Sequence, residues 1–239
     1  MPEWGEQLQE KLLKSRVVVI GAGGVKSVLL MNLAALGVGE ICIIDGDIIE
    51  DTNLNRQLLY TEQDVGKHKA EVARIRLQKI NSSIRIASII EYVDETNISE
   101  LCSGYDLIIE GGDSPYARNL VNLFSLRNNI PMLHVSAQFN YGYLFMVLPS
   151  QRSACFACFF PEDHTRKEST GAVPVSVLAT STAGSLGSAE VVKFLSGNHD
   201  TLYINKRLCF SSLLLSGEFT VLNTARNPKC TSCSGIYNC

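Results

Sequence analysis

The chain has 239 residues, 46% of them hydrophobic and 19% charged, enough apolar content to bury the core of one large domain or of one domain with an appendage. Its formal charge is −3 and no basic block stands out, which argues against nucleic acid as the main partner. No apolar run reaches membrane-spanning length and the start, MPEWGEQLQEKLLKS, is no signal peptide, so the expectation is a soluble, cytoplasmic protein with no membrane partner.

In chain order, residues 6–15 place Leu8, Leu12 and Leu13 on one face of a short amphipathic helix. Residues 17–20 form a β-branched apolar run, short enough for a buried strand. Gly21, Gly23 and Gly24 follow at once, residues 27–36 read as a helix apolar on most sides, and a second apolar run, 41–44, ends in Asp45. Strand, glycine turn, helix, strand and acid make one right-handed βαβ unit. Such a unit suits a nucleotide. Glycines let the backbone approach a phosphate, the free N–H groups of the helix start face the anion, and the acid reaches ribose hydroxyls. The glycine pattern alone is a weak signal, since Lys26 stands at the sixth position of G-x-G-x-x-G, where a third glycine normally sits.

The loop GDIIEDTNLNRQLLY after Asp45 is rich in Asp and Asn, unlike a plain connector. A helix is predicted over 65–80 with Lys67 and Lys69 near its start, where cations oppose the helix dipole. A phosphate would relieve that conflict, although Lys67 reads best as a solvated surface lysine. Strands are predicted at 84–90 and at 105–110, the latter ending in Gly111-Gly112-Asp113. A helix over 115–127, with Pro115 in its first turn, leads to strands at 132–138 and 143–148. The alternation predicts a mostly parallel, doubly wound sheet with antiparallel strands added towards the C-terminus. Ligands of such sheets sit beyond the carboxyl ends of the strands, where the glycine turn, Asp45 and Asp113 all fall.

Residues 164–176 read as a mobile crossover loop, and 182–195 as a helix whose Ala183, Gly184, Gly187 and Ala189 permit close packing. A terminal hairpin is predicted over 202–210 and 219–222. Of eight cysteines, Cys155 with Cys158 and Cys230 with Cys233 form two C-x-x-C pairs. Together they offer the four thiolates of a closed tetrahedral Zn2+ site, which staples the tail to the loop after the sheet and is structural rather than catalytic. Cys42 lies in an apolar strand as inert core, while Cys102, Cys209 and Cys239 are scattered.

Taken together, the chain resembles the E1-like adenylyltransferases of the ThiF, MoeB and HesA type, including those of iron-guanylylpyridinol cofactor biosynthesis. The resemblance runs through GAGGV at 21–25, D-x-D at Asp45 and Asp47, N-L-x-R-Q at 53–57 and V-G-x-x-K-x-E at 65–71. It continues through D-x-x-x-x-R at 113–118, the paired C-x-x-C motifs and the helix ending VVKFLSG. It implies a Rossmann-like α/β fold as one domain over 1–239, with a nucleotide-binding core at 1–150 and the crossover loop, packing helix and zinc-bound tail at 151–239.

The implied activity joins a carboxylate to the α-phosphate of ATP and releases pyrophosphate. By that resemblance Arg56 and Lys69 take the β- and γ-phosphates, Asp113 holds Mg2+, and Asp45 takes the ribose beside Asp47. Gly21, Gly23, Gly24 and Lys26 form the phosphate turn, and Asn53 and Gln57 orient the triphosphate or the carboxylate. The acceptor is a small cofactor-precursor acid such as guanylylpyridinol, the C-terminal glycine of a ubiquitin-like sulfur carrier, or a peptide. The family also implies a homodimer, with the small-residue helix as a packing surface.

Three departures stand out. No Arg-rich segment precedes the first helix. Lys26 either supplies part of the missing positive charge or sits exposed on its helix. The 164–176 loop holds no cysteine, which favours adenylylation without covalent transfer. Two other classes remain: an NAD-dependent oxidoreductase, in which Arg56, Lys69 and Asp113 would have no task, and an inactive scaffold that only binds a partner.

Overall fold

The computed structural model describes residues 5–112, 114–161, 174–212 and 219–237. Helix α1 (Glu6–Lys14) leads into β1 (Arg16–Ile20), α2 (Gly24–Leu36) and β2 (Glu40–Ile44). Next come α3 (Lys69–Ile80), β3 (Arg85–Ile89), α4 (Ile98–Cys102), β4 (Leu107–Glu110), α5 (Pro115–Asn128) and β5 (Met132–Gln138). The chain continues through β6 (Tyr141–Val147), α6 (Phe156–Phe159), α7 (Val177–Ser196), β7 (Lys206–Ser211), β8 (Thr220–Asn223) and α8 (Ser234–Tyr237).

The strands form one eight-stranded sheet in the order β3-β2-β1-β4-β5-β6-β7-β8. Pairings from β3 to β5 are parallel and those from β5 to β8 antiparallel, as the alternation of elements predicts. The strand order reverses between β1 and β4, which puts a topological switch point at their carboxyl ends. Val17, Val18 and Val19 are fully buried because both faces of the sheet are covered. One apolar core includes α2, α3 and α7, and the other includes α5, α6 and the paired cysteines.

Helix α7 starts at Val177, earlier than the small-residue pattern indicates, with the Ser176 hydroxyl accepting from Leu178 N at 3.1 Å. Of the small residues read in the sequence, Ala183, Gly184 and Gly187 are buried inside the chain. A Cβ on Gly184 would stand 2.6 Å from Val25 O, and one on Gly187 3.1 Å from Leu29 Cδ1. The face that carries Gly184 and Gly187 therefore packs on α2 and β5, while Ala189 is exposed. Helix α3 starts only at Lys69, after a tight turn over Glu62–Asp64. Lys67 lies before the helix, exposed and 3.4 Å from Asp64, so the dipole argument does not reach it. The short α4 has no counterpart in the sequence reading.

Candidate functional site

At the carboxyl end of β1 the chain turns through Gly21, whose φ of +88° belongs to the left-handed region, and its N–H donates to Ile44 O at 2.8 Å. Helix α2 begins two residues after Ala22. A Cβ on Gly24 would stand 2.9 Å from Thr180 Cγ2 and 3.0 Å from Arg56 O, so glycine here lets α7 and the 53–57 loop close on the turn. The Tyr60 hydroxyl donates to Ala22 O at 2.8 Å and ties the same turn to the segment before α3.

Asp45, at the end of β2, accepts from Ala22 N at 2.6 Å and from Asp47 N at 2.8 Å. Burial pushes its carboxyl above the usual range, and the two backbone donors pull against that. Asp47 accepts from Lys69 Nζ at 2.7 Å and from the Tyr92 hydroxyl at 2.6 Å. Burial raises the Asp47 carboxyl, and these two donors outweigh it, so it is held below its ordinary value. Lys69 is buried at 6% exposure, in the first helical position of α3.

Arg56 is half-buried and donates to Thr52 O at 2.7 Å and to Asn55 Oδ1 at 3.0 Å. Asn53 closes a capping box with Glu50. Gln57 is buried beside Gly23, and its Oε1 has no partner. The structure thus brings Gly21, Gly23, Gly24, Asp45, Asp47, Asn53, Arg56, Gln57 and Lys69 to one end of the sheet. Asp113 lies outside the described residues, as do Cys239 and 162–173 of the crossover segment.

Lys26 is the site residue whose surroundings depart furthest from an exposed helix position. It is 3% exposed, and its Nζ donates to Val135 O at 3.2 Å. Burial brings its ammonium down to about 8, with Glu110 opposing and Arg118 assisting the fall. Glu110 is itself buried. One oxygen accepts from Gly112 N at 2.8 Å, and the other meets His134 Nδ1 at 2.7 Å. Burial raises the Glu110 carboxyl, but His134, Arg118 and Lys26 outweigh it and bring it to about 2. Burial also pushes His134 below its usual value, so the imidazole is neutral at pH 7 and donates from Nδ1. Its Nε2 has no partner. Arg118 donates from Nε to Gly112 O at 2.6 Å, so the Gly112 residue is gripped at both its N–H and its C=O. Gly111 has no alternative at its position, because a Cβ would stand 1.9 Å from Val135 O.

Sequence reasoning missed Glu110, His134 and Tyr60. A signal existed for the first two, since a charged and a titratable residue interrupt otherwise apolar strands, LIIE and MLHVSAQ. Tyr60 carried none.

The four cysteines Cys155, Cys158, Cys230 and Cys233 place their sulfurs within 4.8 Å of one another. Separations are 3.7 Å for Cys155–Cys230, 3.7 Å for Cys158–Cys233 and 3.9 Å for Cys155–Cys158. A tetrahedron with zinc–sulfur bonds of about 2.3 Å has edges of about 3.8 Å, so the donor set and its size both fit Zn2+. The Asn227 N–H points at Cys158 Sγ at 3.5 Å, the outer support typical of a metal thiolate. Cys42 and Cys102 are buried, and burial raises both thiols, as inert core cysteines require.

The glycine turn, paired acids and buried lysine at the switch point, with a four-thiolate metal staple, define the class as E1-like, ATP-dependent adenylyltransferases. The ThiF family pattern matches residues 1–232, and the chain belongs to that family. It is 31% identical over 235 residues to the SAMP-activating enzyme E1 of Haloferax volcanii, covering 98% of this chain and 85% of that protein. It is 33% identical over 246 residues to the sulfur carrier protein adenylyltransferase of Thermus thermophilus, covering 98% and 87%. Among solved structures, Escherichia coli MccB with ATP superposes with a TM-score of 0.80 at 29% identity, over 95% of this chain and 68% of that one.

Among the described residues no helix is long and apolar enough to cross a membrane.

Proposed function

We propose that this protein transfers the adenylyl group of ATP to a carboxylate, forming an acyl-adenylate and releasing pyrophosphate. The observation that carries the reading is the convergence of the glycine turn, Lys69 and the Arg56 loop at the switch point. Around it Gln57 is buried beside Gly23, its amide Nε2 3.8 Å from the place a Cβ on that glycine would take.

In the reaction a carboxylate oxygen bonds to the α-phosphorus, and the bridge to the β-phosphate breaks. The nucleophile is already ionised, so no strong base is required. The obstacle is the approach of two anions, and the site answers with cations and fixed donors. Lys69 and Arg56 take the β- and γ-phosphates, the turn at Gly21, Gly23 and Gly24 takes the phosphate backbone, and Asp45 takes the ribose. Asn53 and Gln57 orient the triphosphate or the incoming acid. Mg2+ falls to Asp113, and Zn2+ at the four cysteines anchors the tail without entering the chemistry. Lys26 acts indirectly, as a buried counter-charge beneath the strand-end turn.

The acceptor is either the C-terminal glycine of a ubiquitin-like sulfur carrier or a small cofactor-precursor acid such as guanylylpyridinol. The names of the Haloferax and Thermus relatives support the carrier. A working homodimer is part of the reading. The test is ATP–pyrophosphate exchange with a panel of small acids and of peptides ending in Gly-Gly. Wild type supports exchange with at least one acid, and Lys69→Ala lowers it by about 100-fold or more while remaining folded. Lys69→Ala exchanging at the wild-type rate refutes the assignment, and no exchange with any acid in wild type refutes the activity in favour of a binding scaffold.

A further inference from the structure

The registers of the sheet set the floor of the crevice at the switch point. β1 pairs with β4 up to Val19–Ile109, and β4 with β5 up to Glu110–His134. Carried just past the strand ends, the same registers put Gly21, Gly111 and Val135 in one row, with neighbours about 4.8 Å apart. A Cβ on Gly111 would stand 1.9 Å from Val135 O, so the last two members of the row are in contact. Gly21 and Gly111 leave their strands at φ of +88° and +151°. The first opens the phosphate turn and the second opens the Gly111–Gly112 turn. A ligand at a switch point sits between two such exits, so the spacing of these turns sets the width of the proposed ATP crevice.

Lys26 spans that row. It stands in the first turn of α2, three residues after the N-cap Gly23. Its Nζ donates to Val135 O at 3.2 Å and lies 2.8 Å from the place a Cβ on Gly111 would take. One side chain thus runs from the start of the phosphate-turn helix, across the end of β4, to β5. The lysine is buried, and among the described residues no carboxylate forms a direct ion pair with it. An aliphatic side chain would fill the same space without the cost of burying a charge. What the ammonium adds is its bond to Val135 O and its place against Gly111. Glu110 and Arg118 hold the neighbouring Gly112 by its N–H and its C=O, so the turn is gripped at two consecutive residues.

The geometry points to Lys26 as a positioning residue for adenylylation: it ties the first turn of α2 to Val135 beneath Gly111, and so fixes the Gly111–Gly112 turn against the phosphate turn. It acts through that turn and not on the nucleotide. A misplacement of about 1 Å in a reacting group can cost about 100-fold in rate. The effect therefore falls on kcat rather than on ATP binding, which rests on the glycine turn, Lys69 and Arg56. The inference depends on the adenylylation reading for its effect on rate, but not for its effect on the turn.

Two measurements test it. In pyrophosphate exchange, Lys26→Met keeps the length of the side chain, removes the ammonium and lowers kcat per folded molecule by about 10- to 100-fold, while the KM for ATP moves by less than about 3-fold. Lys26→Arg, which keeps a donor, recovers part of the loss. Leu33→Ala, a truncation at a fully buried position of the same helix, lowers stability and leaves kcat per folded molecule at the wild-type value. Independently of turnover, the Gly112 amide is protected from hydrogen exchange in wild type, and Lys26→Met speeds its exchange by about 10-fold or more relative to the amide of Val18 in β1. Lys26→Gln, neutral and one bond shorter, carries the same two readouts where Lys26→Met fails to fold. An unchanged kcat in the folded variant, an equal loss in Leu33→Ala, or a Gly112 amide that is unprotected in wild type or unaffected by the substitution overturns the proposal. Absence of pyrophosphate exchange with every acid overturns the adenylylation reading alone, and the Gly112 amide then decides Lys26.

Discussion

Replacing Glu110 by Gln probes the buried cluster under the strand-end turn. Glu110 and His134 are 1% and 0% exposed, so solvent screens neither. A glutamine has one acceptor oxygen for two donors, Gly112 N–H and His134 Nδ1–H, and it removes the charge that faces Lys26. The Glu110 carboxyl falls from 4.5 to about 2. At about 1.4 kcal/mol per pKa unit this corresponds to a stabilisation of order 3 kcal/mol, in line with the cost of breaking a buried ion pair. A depressed carboxyl stabilises the fold fully above about pH 5 and loses that contribution as pH falls towards 2. Urea unfolding of wild type and Glu110→Gln therefore gives a gap of about 3 kcal/mol at pH 7 that narrows as the pH is lowered through about 4 and 3. Metal loss acts in both proteins and largely cancels in the difference, whereas His134 protonation is favoured only where Glu110 is charged. Equal stabilities at pH 7, or a gap that stays constant down to pH 3, would refute the account of the cluster.

Two further outcomes follow from geometry. Cys158→Ser removes one of four thiolates, so bound zinc measured by atomic absorption falls from one per chain, and Tm drops by roughly 10 °C; retained exchange activity in the folded fraction then separates the staple from the chemistry. Gly21→Ala and Gly111→Ala differ sharply. The first meets no atom within 4 Å and pays only for its φ of +88°, about 1 kcal/mol, whereas the second drives a Cβ to 1.9 Å from Val135 O and costs several times more in chemical denaturation.

The parallel half of the sheet was legible because each strand is a buried apolar run between glycines and helices. Residues 132–138 were placed to the residue, since Pro131 precedes the strand and Met132, Leu133, Val135 and Ala137 carry apolar positions through it despite His134 and Ser136. The start of α3 was misjudged by four residues, because Val65 fits the helical period while the Thr61–Asp64 capping box claims the backbone for a separate turn. The candidate site residues stand out in the sequence as motifs, and the structure gathers the described ones at one end of the sheet. The fate of Lys26 was not legible. Its position after the glycine turn gives no sign that Glu110, far along the chain, offers a buried counter-charge. The destination of the α7 glycines was equally hidden, because close packing on α2 and close packing on a second subunit demand the same small residues.

The free chain already balances the charges that a triphosphate would engage, and the way it does so bears on how ATP would bind. Lys69 is almost fully buried, and leaving its ammonium without a partner would be costly. Asp47 supplies that partner at 2.7 Å, yet Asp47 also accepts from Tyr92 at 2.6 Å. When a phosphate takes Lys69, Asp47 keeps a strong donor and, being about half exposed, regains water on its other side. Neither member of the pair is stranded by the exchange. The same holds for Arg56, which rests on a neutral carbonyl and an amide oxygen rather than on an acid. Among the described residues no ion pair has to be broken to release it. The cations are thus held in place by contacts that cost little to give up, which is what pre-organisation for an incoming polyanion requires.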